Sequence, residues 1–331
     1  MRPVFALAAL LACAPPAALG ESSTTLLEPK IDYWPAPWES SRPRDPDVDK
    51  RGLVWFVGQT GDYVASFDPK NESFRKIDLD KGTGPHNLIV GEDGRIWYTG
   101  NRAAHIGRVT PASGAIEKVA MPDGVRDPHT LIGDGKGHIW FTAQGANYIG
   151  RLTLAGNKVD VVQMPVSNSL PYGIALDAQG RPWANLLGTN KLATLDPSTM
   201  QLELIDLPRP QARTRRIEVA SDGLVWYVDY AAAYIGRFDP KARQFKEWLP
   251  PTGEKARPYA MALDDKQRLW FVDTGVQPNR LMAFDTKQET FVADVELDKS
   301  RGAVRHMVFH APTRALWFGT DTNYLVRAVV P

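Results

Sequence analysis

Short apolar runs with alternating polar positions recur along this chain at an almost constant period. Each run contains a tryptophan, and consecutive tryptophans are 42, 43, 43, 43, 44 and 47 residues apart. A repeat of this length, built from short strands, predicts one β-propeller blade per copy. The copies are marked by Trp55, Trp97, Trp140, Trp183, Trp226, Trp270 and Trp317. The pattern therefore predicts an all-β fold, a seven-bladed β-propeller with four-stranded blades.

One repeat shows the four strands of a blade. After Pro85, HNLIVG alternates like a strand, Glu92-Asp93-Gly94 forms a tight turn, and RIWYT, HIGRVT and AIEKVAMP supply three more strands. The last repeat ends after its third strand, at YLVRAVVP. At the other end of the chain, KIDYWPAP (30–37) resembles FKEWLPPT (245–252), the fourth strand of the fifth repeat. We expect residues near 28–36 to pair with residues near 323–329 and close the ring.

Residues 1–20 have the pattern of an export signal. Arg2 is followed by an apolar run that ends at Cys13, and Gly20 offers a cleavage site. The alternative is a lipoprotein signal in which Cys13 carries a lipid anchor. Either way, residues 21–331 form a single propeller domain that we expect to be periplasmic or secreted. Since Cys13 is the only cysteine, the domain has no intramolecular disulfide.

The charge balance excludes some classes of partner. The chain has 39 Lys and Arg against 38 Asp and Glu, a formal net charge of +1, and no basic run. Binding to nucleic acid or to anionic lipid needs a concentrated positive charge. We therefore expect that the protein does not bind nucleic acid. We also expect that it has no membrane span and that it is a monomer.

The repeat register locates one mouth of the central channel. A large polar residue stands eleven positions before every tryptophan, at the start of the innermost strand, and a second set stands three positions after it. Because the hairpin is symmetric, we expect both sets at the same end of the propeller. The first set is Arg44, His86, His129, Tyr172, Arg215, Tyr259 and His306, and the second includes Asp229 and Asp273.

Some of these residues have a simpler explanation. Arg215 and Asp229 face each other across one hairpin, so a structural ion pair is the default for them. Tyr172 and Tyr259 are large enough to fill the channel without binding anything. Three histidines on one repeat position are harder to explain by structure alone. We expect a small-molecule ligand at this polar mouth.

The repeats themselves are similar to those of a known family. GPHNLIVGEDGRIWYTGNRAAHIGRVT, DPHTLIGDGKGHIWFTAQGANYIGRLT and LPYGIALDAQGRPWANLLGTNKLATL resemble the repeats of the streptogramin B lyase (virginiamycin B lyase) family. The resemblance covers nearly the whole of residues 21–331. It implies a seven-bladed propeller that opens a cyclic depsipeptide by elimination, using Mg²⁺. The family's site combines a His, a Glu-Pro-His on the next blade and a Glu after that blade's Trp strand.

The nearest local match to this pattern lies in the second and third repeats. It consists of His86, Asp127-Pro128-His129 and, where the last Glu should stand, Ala143. The resemblance implies that His129 and His86 are catalytic and that Asp127 and His86 bind the metal.

An alignment from the end of the chain gives a second mapping. It places Tyr259, Val304, His306 and Thr320 at the family positions, so only one of the four residues agrees.

Three functions remain open. A lyase needs a base beside the carbonyl and a metal or acid for the developing charge, and the matched cluster would hold Zn²⁺ about as well as Mg²⁺. Asp229 and Asp273, on neighbouring blades, offer a second acidic pair. A propeller that only binds a ligand or a protein partner is the alternative, favoured by the missing Glu. A lactonase-like metal hydrolase, with Asn185 and Asp229 as ligands, is the third.

Overall fold

Seven four-stranded antiparallel sheets make up the structure. The computed structural model describes residues 26–331. Six sheets follow the chain order from the innermost to the outermost strand, and the seventh is completed from the N-terminal end. No α-helix occurs in residues 26–331, which contain only the short 3-10 turns Ala155–Asn157, Gly253–Lys255 and Ala311–Thr313. The predicted seven-bladed propeller is confirmed.

The strands of blade 2 begin within one residue of the predicted positions, and blades 1 and 3 have the same four-stranded arrangement. Blade 1 contains β2 (Pro43–Val48), β3 (Val54–Gly58), β4 (Tyr63–Asp68) and β5 (Ser73–Asp78); blade 2 contains β6 (Pro85–Val90), β7 (Ile96–Gly100), β8 (His105–Val109) and β9 (Ile116–Ala120); blade 3 contains β10 (Pro128–Gly133), β11 (His138–Ala143), β12 (Tyr148–Thr153) and β13 (Lys158–Gln163).

The remaining blades repeat the arrangement. Blade 4 contains β14 (Pro171–Leu176), β15 (Pro182–Leu186), β16 (Lys191–Leu195) and β17 (Leu202–Asp206); blade 5 contains β18 (Thr214–Val219), β19 (Val225–Asp229), β20 (Tyr234–Asp239) and β21 (Gln244–Trp248); blade 6 contains β22 (Pro258–Leu263), β23 (Arg268–Asp273), β24 (Asn279–Asp285) and β25 (Thr290–Leu297); blade 7 contains β26 (Met307–His310), β27 (Ala315–Gly319), β28 (Tyr324–Val329) and β1 (Lys30–Pro35).

The first and the last strand of the described residues pair in blade 7. Strand β1 pairs antiparallel with β28, so that Trp34 lies opposite Leu325. The Trp34 ring stacks on Trp317 at 5.7 Å between centroids and lies 4.9 Å from Phe67 of blade 1. An N-terminal strand therefore closes the ring and covers the edge that β28 would otherwise expose, as predicted.

The repeated tryptophans lie in the core between blades. All seven are at most 4% exposed. Trp317 of blade 7, for example, packs with Val54 and Phe56 of blade 1. In three repeats the indole Nε1 also donates to an aspartate six residues earlier, at 2.9 Å for Trp270 and Asp264. Burying an aromatic side chain while satisfying its one donor explains why tryptophan suits this position.

The N-terminal segment precedes Leu26, the first described residue. The predicted signal at residues 1–20, its cleavage at Gly20 and the lipid anchor on Cys13 lie outside the described residues. Within residues 26–331, no helix is long and apolar enough to cross a membrane.

Candidate functional site

A β-bulge opens the innermost strand of blades 1 to 6 at the predicted mouth. In blade 2, Pro85 pairs with Gly100 but Leu88 pairs with Tyr98, so His86 and Asn87 together oppose one residue. The same shift occurs in the other five of these blades. A bulge of this kind re-aims side chains. In blades 1 and 5 it brings two successive side chains to the channel, Arg44 with Asp45 and Arg215 with Arg216, where the symmetric register predicted one.

The outer layer of the mouth contains a continuous aromatic stack. The rings of His86 and His129 lie 3.7 Å apart between centroids, and His129 lies 4.2 Å from Tyr172. The hydroxyls of Tyr172 and Tyr259 are in hydrogen-bonding contact. His86 is only 7% exposed and His129 1%. The structure thus brings together four of the predicted residues, and their side chains fill the channel mouth rather than line an open cavity.

Arginines complete this layer on the opposite arc. The Arg215 guanidinium lies over the ring of Tyr230 at 3.6 Å and over that of Tyr259 at 4.5 Å. Arg44 donates from Nε to Asp45 at 3.0 Å and from Nη1 to Gln59 at 2.9 Å. The mouth is therefore rich in cationic donors as well as aromatic rings.

Asp45 connects the layer beneath. Its carboxylate accepts from Arg44, from Asn87 Nδ2 at 3.0 Å and from Arg216 Nη2 at 3.4 Å, which joins three blades. Asp45 has a φ of +47°, a region in which aspartate is one of the better-tolerated side chains. Burial alone would raise the pKa of Asp45, but Arg44 and Arg216 outweigh burial and hold the pKa well below its usual range.

Blade 7 departs from the predicted register by one residue. In blade 7, Phe318, the residue after the repeated tryptophan, pairs with Met307. Tyr98 is its equivalent in blade 2, and it pairs with Leu88. Counting back from these pairs puts Arg305 at the level of His86, and puts His306 one layer deeper, with Asp45. Consistent with this offset, the Arg305 carbonyl accepts from Arg216 Nε at 2.7 Å.

The prediction that His306 lies in one layer with His86 and His129 is therefore wrong. The turn in blade 7, which includes the 3-10 turn Ala311–Thr313, is one residue longer than in the other repeats. A count of eleven from Trp317 thus falls one position short. Arg305 was missed because of this longer turn. Arg216 and Asp45 were missed because the sequence gives no sign of the bulges, and so no sign that the residue after the mouth position also faces inward.

The carboxylates expected at the mouth serve the loops instead. Asp127 accepts from the backbone N–H of Gly145 at 2.5 Å and of Ala146 at 3.0 Å. Asp273 accepts from the backbone of Arg257 and Gly275. Each ties together two neighbouring loops at this end of the propeller. Burial raises the pKa of Asp127, although these two backbone N–H groups oppose it.

Asp229 behaves in the same way, and the ion pair expected for it is absent from the described residues. Its Oδ1 accepts from the backbone of Arg213, Ala231 and Ala232. Thr214, and not Arg215, is its partner across the hairpin. Asn185 is fully buried, with neither side-chain atom hydrogen-bonded within the described part of the chain.

The donors at the mouth do not fit a divalent cation. No group of three or more His, Cys, Asp or Glu residues that could hold a metal occurs in residues 26–331. Both Asp127 oxygens already accept backbone hydrogen bonds, and the Arg44 and Arg216 guanidiniums that act on His86 would repel a cation. A Mg²⁺ site on Asp127 and His86 thus lacks its oxygen ligands.

The histidines are uncharged near neutral pH. Burial, followed by the positive charge of Arg44 and Arg216, lowers the pKa of His86 well below its usual value. The pKa of His129 is lowered in the same direction, first by burial and then by His86. Burial lowers that of His306 to about 4. Neutral imidazoles can accept a proton, but at this mouth they are shielded from solvent.

A small cavity of about 160 Å³ lies deeper in the channel. His306 and Arg216 form one side of it, and Asp47 and Glu218 line it farther from the mouth. Burial raises the pKa of Asp47 to about 6 and that of Glu218 to about 7. These two acids, which were not predicted, remain partly protonated near neutral pH.

Comparison with known proteins identifies the family to which this chain belongs. The chain belongs to the virginiamycin B lyase family, whose profile matches residues 31–328. A search of curated proteins found no significant match.

Solved structures agree on the fold. The chain is similar to virginiamycin B lyase from Staphylococcus aureus at 22% identity and a TM-score of 0.83, covering 92% of this chain and 100% of that one. A catalytically inactive variant of the same lyase with quinupristin gives 23% identity, with the same coverage and TM-score. The extracellular domain of a putative hybrid two-component system from B. thetaiotaomicron matches at 13% identity and a TM-score of 0.70, over 90% of this chain and 42% of that chain.

Proposed function

We propose that this protein is an exported β-propeller that binds a small molecule at its channel mouth, without the metal-assisted elimination that the family resemblance implies. The observation that carries the proposal is the composition of the mouth. Histidine, tyrosine and arginine side chains converge there, while Asp127 is engaged by backbone N–H groups. Such a surface offers hydrogen-bond donors and aromatic faces to a ligand, but few ligands to a hard cation.

Export is part of the proposal. The charge and apolar pattern of residues 1–20 supports it, and a structural neighbour is an extracellular domain. We propose a periplasmic or secreted monomer.

A lyase is the second candidate, because of family membership and the neutral histidine pair. In such a reaction His129 would remove the proton from the carbon next to the one that carries the ester oxygen. The electron pair would form a C=C bond as the C–O bond to the leaving carboxylate breaks, and the proton would remain on the imidazole. The positive charge of Arg44 and Arg216 would stabilise the developing carboxylate. The mouth would have to open, since His129 is 1% exposed.

One experiment separates these candidates. The purified protein is incubated with quinupristin, which is bound to the variant of the S. aureus lyase, and the product is analysed by liquid chromatography with tandem mass spectrometry, which separates an opened ring from a closed one of equal mass. Elimination opens the ring without a change of mass, whereas a lactonase-like hydrolysis adds one water. Binding alone leaves the ring closed but shifts the imidazole NMR signals of His86 and His129 in a saturable way.

Variants assign the outcome to the mouth. Turnover that is lost in His129→Ala and kept in His310→Ala would establish the lyase and overturn our first proposal. His310 is a matched control because it lies at the far end of β26, where its Nδ1 contacts Thr313. Saturable shifts without turnover would support binding. If a broader panel of cyclic esters and organic acids produced neither, the proposal of a small-molecule site would be wrong.

A further inference from the structure

The arginines of the mouth are not fully matched by acids. Arg44 and Arg216 share Asp45, and Arg305 is held by Asp321 with 3.0 Å between Nη2 and Oδ2. Within the described residues, Arg215 forms no salt bridge and rests only on the rings of Tyr230 and Tyr259. Cation–π contacts attract a guanidinium but use none of its hydrogen-bond donors.

Two guanidinium donors of the mouth arginines are also buried without a hydrogen-bond partner. Arg44 Nη2 and Arg215 Nε have no hydrogen bond in the described part of the chain, and Arg44 is only 4% exposed. Leaving a charged donor unsatisfied in a buried place destabilises a protein. A group that brings acceptor oxygens to these atoms would remove that cost.

The two arginines with unpaired donors, Arg44 and Arg215, lie on one arc of the ring. Blades 5, 6, 7 and 1 are successive, and they contribute Arg215, Tyr259, Arg305 and Arg44 to the outer layer. Arg215 and Arg44 both act electrostatically on Tyr259. The histidines and Tyr172 occupy the other arc, on blades 2, 3 and 4. The mouth thus has a cationic side and an aromatic, uncharged side.

We infer that this cationic arc binds the oxyanion of a small organic molecule, a carboxylate or a phosphate, with the rest of the ligand on the solvent-facing side of the ring stack formed by His86, His129 and Tyr172. The inference rests on the proposed small-molecule site and specifies the chemistry of its ligand. Guanidinium groups match the planar pair of oxygens in a carboxylate and also bind phosphate. The rings of the uncharged arc suit an apolar or aromatic body.

Three probes that share an aromatic ring test the inference: benzoate, phenyl phosphate and benzamide. Calorimetric titration of the purified protein should show binding of one or both anions and none of the neutral benzamide. Benzoate and phenyl phosphate together distinguish a carboxylate from a phosphate site. Saturable shifts of the imidazole signals of His86 and His129 should locate the bound anion at the mouth.

Variants test the assigned arginine. Arg215→Gln should weaken anion binding about tenfold or more, since a charge-assisted hydrogen bond is lost. Arg215→Lys keeps the charge and should restore part of the affinity. Arg102→Gln removes an exposed charge from a loop at the same end and should leave binding unchanged. Thermal unfolding of each variant checks that the fold is kept.

The negative outcomes are distinct. If benzamide binds at the mouth as well as benzoate does, the anionic ligand is wrong while the small-molecule site stands. If Arg215→Gln and Arg102→Gln bind the anions equally, Arg215 has no part in recognition. If none of the probes binds, both the oxyanion site and its basis in the proposed function are contradicted.

Discussion

Arg216 of blade 5 contacts Asp45 of blade 1 across the channel, with 3.4 Å between Nη2 and Oδ2. Both side chains are at most 4% exposed. The pair connects blades that are not neighbours in the ring, so it stabilises the closed propeller from inside. Its partners Arg44 and Asn87 add two more hydrogen bonds to the same carboxylate.

Removing the Asp45 charge should destabilise the fold strongly. Asp45→Asn leaves two buried guanidiniums without their counterion, and we expect the free energy of unfolding to fall by about 3–5 kcal/mol. Denaturant unfolding followed by tryptophan fluorescence measures this loss. The control is Asp206→Asn, because the exposed pair of Asp206 with Lys191 should contribute at most about 1 kcal/mol. Equal effects of the two substitutions would mean that the channel pair is not a stabilising contact.

The closing strand should be needed for stability. Trp34→Ala removes the ring that stacks on Trp317 and contacts Phe67, which should cost about 2–3 kcal/mol, less than a fully buried aromatic. Leu26→Ala, at a residue 48% exposed outside the strand, should have almost no effect. Thermal unfolding of both variants tests this. An unchanged melting temperature for Trp34→Ala would contradict a closing role for β1.

The stability contributed by His306 should depend on pH. Burial lowers its pKa in the folded state to about 4, below the usual 6.5. The unfolded chain therefore takes up this proton first, so the stability is complete above pH 6.5 and is lost as the pH falls toward 4. The loss is about 3 kcal/mol at most. A matched series of unfolding curves should show a smaller loss in His306→Gln than in the wild type, since His86 and His129 still contribute there, and parallel pH profiles would rule out the shift.

Glu218 should act with the opposite sign. Burial raises its pKa to about 7 from 4.5, so the folded state keeps the proton longer than the unfolded chain does. The cost of ionising it is absent below pH 4.5, grows as the pH rises and is complete above pH 7. Glu218→Gln should therefore be about 1–3 kcal/mol more stable than the wild type at pH 8 and similar to it at pH 4. A constant difference between the two across this range would exclude the raised pKa.

Divalent metal should have little influence on this protein. The mouth offers arginines and capped carboxylates rather than a set of oxygen ligands. We expect neither EDTA nor added Mg²⁺ to change the melting temperature, because a ligand that binds only the folded state would raise it. A melting temperature that rises with Mg²⁺ concentration would show that a site exists.

The sequence predicted parts of the mouth well. The repeat register brought His86 and His129 to the same end of the channel, because both occupy the same position relative to their tryptophans. It failed for His306, since a turn that is one residue longer shifts the whole strand. For Asp127, to which the resemblance assigns a metal, the structure shows a carboxylate that accepts two backbone N–H groups. A short acidic side chain beside a loop accepts hydrogen bonds from the backbone N–H groups of that loop, and a sequence motif does not show this preference.

The number of blades, their strands and the closure of the ring could all be predicted from the sequence. These follow from periodic patterns, since a repeated apolar position can be buried only if each blade packs on the next. Tertiary structure alone decided what the mouth contains. The bulges of blades 1 and 5 turn a second residue, Asp45 and Arg216, inward, and these two meet only because blades 1 and 5 face each other across the channel. Such contacts depend on local backbone irregularity and on the diameter of the closed ring, which no periodic pattern encodes.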